Sequence, residues 1–151
     1  MLVLKPGDKA PDIKAKNQDG ETVTLKSFRG KKVILYFYPK DNTPTCTVES
    51  CNLRDNYDSL FKKGYDVIGV SADDEKSHRK FISKYKLPFT LISDVDKKVI
   101  NDYGVWGPKK FMGREFDGII RTTFLINEKG IIEKIFSKVD SKDHAEQILN
   151  N

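Results

Sequence analysis

The chain has 151 residues, 38% of them hydrophobic and 32% charged, with a formal net charge of +5. This composition is typical of one soluble domain with a sizeable core, and no apolar stretch approaches the roughly 18 residues that a membrane-spanning helix needs. The lysines occur in separated pairs interrupted by acidic residues, which argues against nucleic-acid binding. The chain starts without the basic segment and long apolar region of a secretory signal, so we expect a cytoplasmic protein.

The first predicted elements are an N-terminal hairpin and a buried strand. The turn 17–20 separates two alternating segments, which indicates an antiparallel pair. The run 33–38 is made of β-branched, aliphatic and aromatic residues, a pattern that predicts a buried strand. From about Pro44 the spacing becomes helical, and the positions expected to share one buried stripe are Val48, Leu53, Tyr57, Leu60 and Phe61.

The rest of the chain continues with alternating strands and helices. The predicted elements are a strand over 66–71, a helix from about 72 to about 87, a strand over 89–92, a short helix over 99–103, a hairpin of 121–126 with 131–136, and a closing helix over 142–149. The segment 104–118 is predicted to be a loop that either covers an active site or packs its aromatic residues on the core. This order indicates one three-layer α/β domain over residues 1–151 with a mixed central sheet.

The chain has two cysteines, Cys46 and Cys51, and both follow the predicted strand 33–38 closely. Pro39 ends that strand because proline cannot donate to a β-ladder. Cys46 is therefore expected in the first turn of a helix, where unpaired backbone N–H groups and the macrodipole stabilise negative charge. This position favours the thiolate, which is the nucleophilic form of cysteine. The alternative is that Cys46 serves only as a small buried hydrophobe.

The spacing of the two cysteines predicts a switch. Five residues along an α-helix separate two Cα atoms by roughly 8 to 9 Å, whereas a disulfide needs about 7 Å or less. Cys46 and Cys51 therefore cannot bond while both stay in one regular helix, and a bridge requires the first turns to unwind. A static structural disulfide is the alternative, but it would close only a small loop and break the helix.

The residues Pro39, Thr43 and Cys46 form a Pro-x-x-x-Thr-x-x-Cys motif that resembles the signature of the PrxQ-type peroxiredoxins, also called bacterioferritin comigratory proteins. The resemblance continues through 103–107 and 121–126 and so covers nearly the whole chain. It implies a thioredoxin-like fold with a mixed central sheet flanked by helices and an N-terminal β-hairpin.

The resemblance also implies a role for each matching position. The resemblance implies that Cys46 is the peroxidatic thiolate and Cys51 the resolving cysteine, and that the Thr43 hydroxyl orients the peroxide and the thiolate while Pro39 shields the pocket. It implies that Arg121 is the essential cation and Glu49 its bidentate partner. It also implies that the backbone N–H groups of Thr45 and Cys46 donate to peroxide oxygen. Thr45 departs from the family pattern, since close relatives commonly carry glycine or another small residue there.

The implied reaction is a thiol-dependent peroxidase cycle in antioxidant defence. A hydroperoxide oxidises Cys46 to a sulfenic acid, Cys51 condenses with it to give a disulfide, and thioredoxin or an equivalent dithiol restores both thiols. The resemblance further implies that no cofactor or metal is used and that the protein is a monomer.

Two other functions are compatible with a pair of cysteines. A thioredoxin-type disulfide oxidoreductase generally uses Cys-x-x-Cys, whereas four residues separate the cysteines here. A non-enzymatic redox-sensing or metal-binding module would need further ligands, and His78 and His144 are expected on helix surfaces. Taken singly, Thr43, Glu49 and Arg121 would be a helix cap, a solvated position and a strand-edge charge, so the peroxidase hypothesis depends on the whole constellation.

Overall fold

The structure is a computed structural model that describes residues 4–150. Its strands are β1 Lys14–Asn17, β2 Thr22–Thr24, β3 Lys32–Phe37, β4 Tyr65–Ser71, β5 Thr90–Ser93, β6 Trp106–Phe111, β7 Arg114–Ile119, β8 Thr122–Ile126 and β9 Ile132–Phe136. Its α-helices are α1 Pro44–Asp55, α2 Tyr57–Lys62, α3 Glu75–Tyr85, α4 Lys98–Asp102 and α5 His144–Leu149. None of the helices in this part of the chain has the length and apolar content needed to cross a lipid bilayer.

A seven-stranded mixed sheet forms the centre of the fold, in the order β2-β1-β5-β4-β3-β8-β9. The interior strand β3 runs parallel to β4 and antiparallel to β8. Strands β1 and β2 pair antiparallel at one end of this sheet, which confirms the predicted N-terminal hairpin. The predicted fold class, a three-layer α/β arrangement with a mixed sheet, is likewise confirmed.

The side chains of β3 alternate between two apolar layers because successive residues of a strand point to opposite faces. Val33, Leu35 and Phe37 pack in the layer that includes α4. Ile34 and Tyr36 pack in the layer that includes α1, α2, α3 and α5. The strand is therefore buried on both faces, and its carboxyl end leads directly to the start of α1.

The predicted helix beyond Pro44 is divided into α1 and α2 at Asn56, whose φ of −107° and ψ of 10° leave the helical region. The predicted buried stripe is only partly correct, because Val48 and Phe61 are 40% and 53% exposed. The buried residues of α1 are Cys46, Glu49, Ser50 and Leu53. Half of the buried positions of α1 are thus polar, which an apolar pattern cannot reveal.

The predicted loop 104–118 is wrong, because β6 and β7 pair there as an antiparallel ribbon. Met112 and Gly113 form its turn with φ values of 52° and 79°, a conformation that glycine adopts without strain. Most side chains of β7 are exposed, so the ribbon lacks the alternation of buried and exposed positions that usually reveals a strand.

Candidate active site

Cys46 is the third residue of α1 and is 1% exposed. The helix begins at Pro44, which has no N–H group, and Thr43 precedes it in an extended conformation. Within residues 4–150, the amides of Thr45 and Cys46 have no hydrogen-bond acceptor. The first turn therefore combines a buried thiol with two unpaired backbone donors, an arrangement that stabilises negative charge.

Arg121 reaches Cys46 although 75 residues separate the two in sequence. Thr122 at the start of β8 is the register partner of Phe37 at the end of β3, so the residue before β8 lies beside the beginning of α1. The guanidinium Nη2 of Arg121 is 3.1 Å from the Cys46 Sγ. A fixed cation thus faces the sulfur, and the 18% exposure of the Arg121 side chain limits screening by water.

Glu49 lies one turn beyond Cys46 and holds Arg121 from the other side. Its Oε1 accepts a 2.5 Å hydrogen bond from Nη1 of Arg121. The predicted bidentate pair is not formed, because Oε2 of Glu49 makes no hydrogen bond to any residue between 4 and 150 and instead lies 3.9 Å from Nε2 of His144. Burial raises the pKa of Glu49 to about 7, and the charge of Arg121 offsets part of this effect.

We expect Glu49→Gln to remove a pH dependence of stability. The native state keeps the Glu49 proton between the ordinary pKa of 4.5 and about 7, whereas the unfolded chain loses it. The contribution of this group to stability is therefore fully present below pH 4.5 and is lost as the pH rises through about 7. Relative to the variant, the wild type should lose about 3 kcal/mol over this range.

Urea unfolding of the wild type and of Glu49→Gln at several pH values measures this difference. Because Nε2 of His144 lies 3.9 Å from Oε2 of Glu49, the difference between the two curves includes the coupling between these two groups. Parallel curves across the range would show that Glu49 is already ionised in the native state.

The other predicted site residues of this region, Thr43, Pro39 and Cys51, lie within seven positions of Cys46 in the chain. The Thr43 hydroxyl donates to the carbonyl of Lys40 at 2.9 Å and makes no capping hydrogen bond to α1. Pro39 is half-buried directly after β3, and Cys51 is half-buried on α1. Both cysteines are free thiols in this structure, and burial raises the pKa of the Cys51 thiol while Arg54 lowers it in part.

His78 is completely buried beneath the segment that leads into α1, so its predicted surface position is wrong. Its Nδ1 is 2.7 Å from Oδ2 of Asp41, and its Nε2 is 2.9 Å from the carbonyl of Ile92. Hydrogen bonds at both ring nitrogens therefore fix the orientation of the ring. Asp41 also accepts hydrogen bonds from Tyr38 and Ser77, so this network fixes the chain just before Thr43.

The atoms of Asp41, Asp73 and His78 that could coordinate a metal ion lie within 4.8 Å of one another. The Asp73 carboxylate, however, accepts hydrogen bonds from the Asp41 amide and the Ser71 hydroxyl. The hydrogen-bonding capacity of the cluster is thus used internally, and it is a structural network. The spacing of His78 to Phe81 on one face of α3 was the sequence signal for its burial.

His144 is also buried, in contrast to the prediction, and lies behind Glu49. Its Nδ1 is 2.9 Å from Oε1 of Gln147, and its Nε2 is 2.8 Å from the hydroxyl of Thr123. Burial lowers the pKa of His144, which favours the neutral ring. Nδ1 then donates to Gln147, and Nε2 accepts from Thr123.

Lys109 is a second basic residue that the sequence analysis did not single out. It lies on β6, and its Nζ donates to the carbonyl of Ile119 at 2.8 Å, two residues before Arg121. Burial lowers the pKa of the Lys109 ammonium, and the positive charge of Arg121 lowers it further. The ribbon therefore brings a cation into the electrostatic environment of the Cys46 site.

Comparisons with known proteins agree with this fold. The family model described as AhpC/TSA matches residues 6–135. Peroxiredoxin Bcp of Escherichia coli K12 is 48% identical over 150 residues, covering 99% of this chain and 96% of the relative.

Solved structures give the same result. A mutant of Xylella fastidiosa PrxQ superimposes with a TM-score of 0.91 at 30% identity, covering 99% of this chain and 96% of the other. The Xanthomonas campestris bacterioferritin comigratory protein, studied for alkyl peroxide reduction, gives a TM-score of 0.85 at 33% identity and covers 91% of this chain and 88% of its own.

A thioredoxin-like fold that holds a cysteine in the first turn of a helix beside an arginine defines a thiol peroxidase. The chain belongs to the AhpC/TSA family, and within it to the peroxiredoxins of the Bcp and PrxQ type. It is a thiol-dependent peroxidase that uses a peroxide substrate and a thiol reductant. The family and the activity implied by the sequence resemblance are therefore confirmed.

Proposed function

We propose that Cys46 is the peroxidatic thiolate and Cys51 the resolving thiol of this peroxidase. The observation that carries the assignment is the 3.1 Å contact between Nη2 of Arg121 and the Cys46 Sγ in the first turn of α1. A guanidinium at hydrogen-bond distance favours the ionised sulfur and is ready to meet the charge that develops on the peroxide.

In the first step the Cys46 thiolate attacks the terminal oxygen of the hydroperoxide. The S–O bond forms as the O–O bond breaks, and the leaving alkoxide or hydroxide takes a proton to become an alcohol or water. Arg121 and the free amides of Thr45 and Cys46 stabilise the developing negative charge. Thr43 orients the peroxide through its hydroxyl, and Pro39 shields the site from water.

In the second step the Cys51 sulfur attacks the sulfenic sulfur of Cys46. A disulfide forms and the sulfenic hydroxyl leaves with a proton as water. Both cysteines lie on α1 in the reduced structure, five residues apart, so α1 must unwind locally before the sulfurs meet. A dithiol, which we propose to be thioredoxin or an equivalent protein, then reduces the disulfide by exchange.

The substrates that we propose are hydrogen peroxide and organic hydroperoxides. Alkyl peroxide reduction is stated for the Xanthomonas campestris relative, and the shared fold supports extending it to this chain. We further propose that residues 1–151 act as one cytoplasmic, monomeric domain that needs no cofactor.

Stopped-flow mixing of the reduced protein with hydrogen peroxide and with an alkyl hydroperoxide tests this function. We expect rapid second-order oxidation, with Trp106 as a fluorescence reporter, followed by a Cys46–Cys51 disulfide in a peptide map. Faster reduction of a small disulfide substrate than of either peroxide would instead favour an oxidoreductase of the thioredoxin type.

A further inference from the structure

Asn52 is adjacent to Cys51 on α1 and connects this helix to the C-terminal helix α5. Its Nδ2 donates to the carbonyl of Lys142 at 2.7 Å. Its Oδ1 accepts a hydrogen bond from the amide of Ala145 at 2.8 Å. The Asn52 side chain thus makes two hydrogen bonds, one through its nitrogen and one through its oxygen, to a segment about 90 residues away in the chain.

The second of these hydrogen bonds replaces the local cap of α5. The residue before α5, Asp143, has a φ of −128° and a ψ of 31° and makes no capping hydrogen bond with its side chain. The first N–H groups of a helix have no intrahelical acceptor, and an oxygen that accepts from them stabilises the helix. Asn52 supplies this oxygen from α1, so the cap of α5 belongs to the helix that carries both cysteines.

Apolar contacts place α1 and α5 in the same packing layer. Leu53, Ala145 and Ile148 are buried in one cluster that also contains Cys46. Any unwinding of α1 that moves the Cys51 backbone therefore pulls on Asn52 at a point where α5 holds it.

We propose that Asn52 is a positioning residue that restrains α1 against the unwinding needed for the Cys46–Cys51 disulfide, and that disulfide formation removes the cap of α5. This inference rests on the proposed roles of Cys46 and Cys51. Asn52 then sets the rate at which Cys51 reacts with the Cys46 sulfenic acid, although it does not contact the peroxide. The N-terminal hydrogen bonding of α5 also depends on whether the two cysteines are reduced or bonded.

The test separates the two chemical steps in Asn52→Ala. Reduced protein is mixed with one equivalent of hydrogen peroxide and quenched at successive times, and the sulfenic acid and the disulfide are quantified by mass spectrometry. Loss of two partly exposed hydrogen bonds should speed disulfide formation about three- to tenfold, while peroxide oxidation of Cys46 keeps the wild-type rate. Asn52→Asp keeps the acceptor for Ala145 and loses the donor to Lys142, so it should give a smaller acceleration.

Asn56→Ala is the matched control. Asn56 is half-buried at the end of α1, and its side chain donates to the Asn52 carbonyl at 2.9 Å within the same segment. We expect this variant to form the disulfide at the wild-type rate. Equal disulfide rates in Asn52→Ala and the wild type would overturn the inference and leave the resolving role of Cys51 intact.

Hydrogen exchange of the unmodified protein provides a second test that requires no variant to fold. We expect the amides at the start of α5, Ala145 above all, to lose protection when the disulfide forms. Unchanged protection in the disulfide form would overturn the proposed coupling. If the wild type forms no Cys46–Cys51 disulfide at all, the proposed resolving role fails and this inference fails with it.

Discussion

Cys46→Ser protein is expected to consume no peroxide above the uncatalysed background. The variant removes the sulfur that faces Arg121 at 3.1 Å, and a serine hydroxyl is too weakly acidic to replace it as a nucleophile. One equivalent of peroxide should instead oxidise Cys51→Ser once per molecule, to the sulfenic acid of Cys46, with no disulfide formed. Intact-protein mass spectrometry after one equivalent of peroxide should show one added oxygen in Cys51→Ser and no change in Cys46→Ser.

Cys51→Ser also tests whether Cys51 is the thiol that reacts with the Cys46 sulfenic acid. Without Cys51 the sulfenic acid persists, and excess peroxide should carry it to the sulfinic and sulfonic acids. Full thioredoxin-supported turnover by Cys51→Ser would mean that another thiol, and not Cys51, resolves Cys46.

Arg121→Ala is expected to lower the second-order rate constant for peroxide oxidation by about 10²- to 10³-fold. The substitution removes the cation at the Cys46 sulfur and the donor that can meet the leaving oxygen. Arg121→Lys retains the charge but not the two-armed contact with Cys46 and Glu49, so it should recover only part of the rate. Stopped-flow oxidation with hydrogen peroxide measures both variants.

Two further variants control this experiment. Removing Arg121 leaves Glu49 buried without its counter-charge, and the double variant Arg121→Ala with Glu49→Gln avoids that effect on the fold. Arg114→Ala, at an exposed position of the ribbon, changes the net charge equally and should oxidise at the wild-type rate. An unchanged rate constant in Arg121→Ala would remove Arg121 from the mechanism.

The fold could be predicted to a large extent because its signals are local. The uninterrupted apolar run 33–38 indicated β3, and proline followed by helical spacing indicated the start of α1. The ribbon of β6 and β7 was missed because it is stabilised by its own ladder and leaves most of β7 exposed. Burial patterns identify elements that face a core, and this ribbon contacts the core at its base, where Trp106 pairs with Ile119, while the rest of β7 faces solvent.

The candidate site was predictable in its residue types but not in its geometry. The family resemblance named Arg121 and Glu49 as partners of Cys46, and the structure brings all three side chains together. The spacing of His78 to Phe81 hinted at the burial of His78, but the partners of His78 and His144 could not be predicted, since a polar ring is buried only where the fold provides hydrogen-bond partners. Those partners come from distant elements, and a single sequence does not show which elements meet.

The mixed polarity of the buried face of α1 has a thermodynamic consequence. Before Cys51 this face consists of Cys46, Glu49 and Ser50. Glu49 accepts a hydrogen bond from Arg121, and the Ser50 hydroxyl is hydrogen-bonded to the Tyr36 hydroxyl at 2.9 Å. Opening these turns exchanges polar contacts for water and wets little hydrocarbon, so its heat-capacity increment is small. The free energy of opening should therefore fall almost linearly as temperature rises, with a slope set by the conformational entropy that the unwound turns gain, and without the curvature that exposing a large apolar face would add.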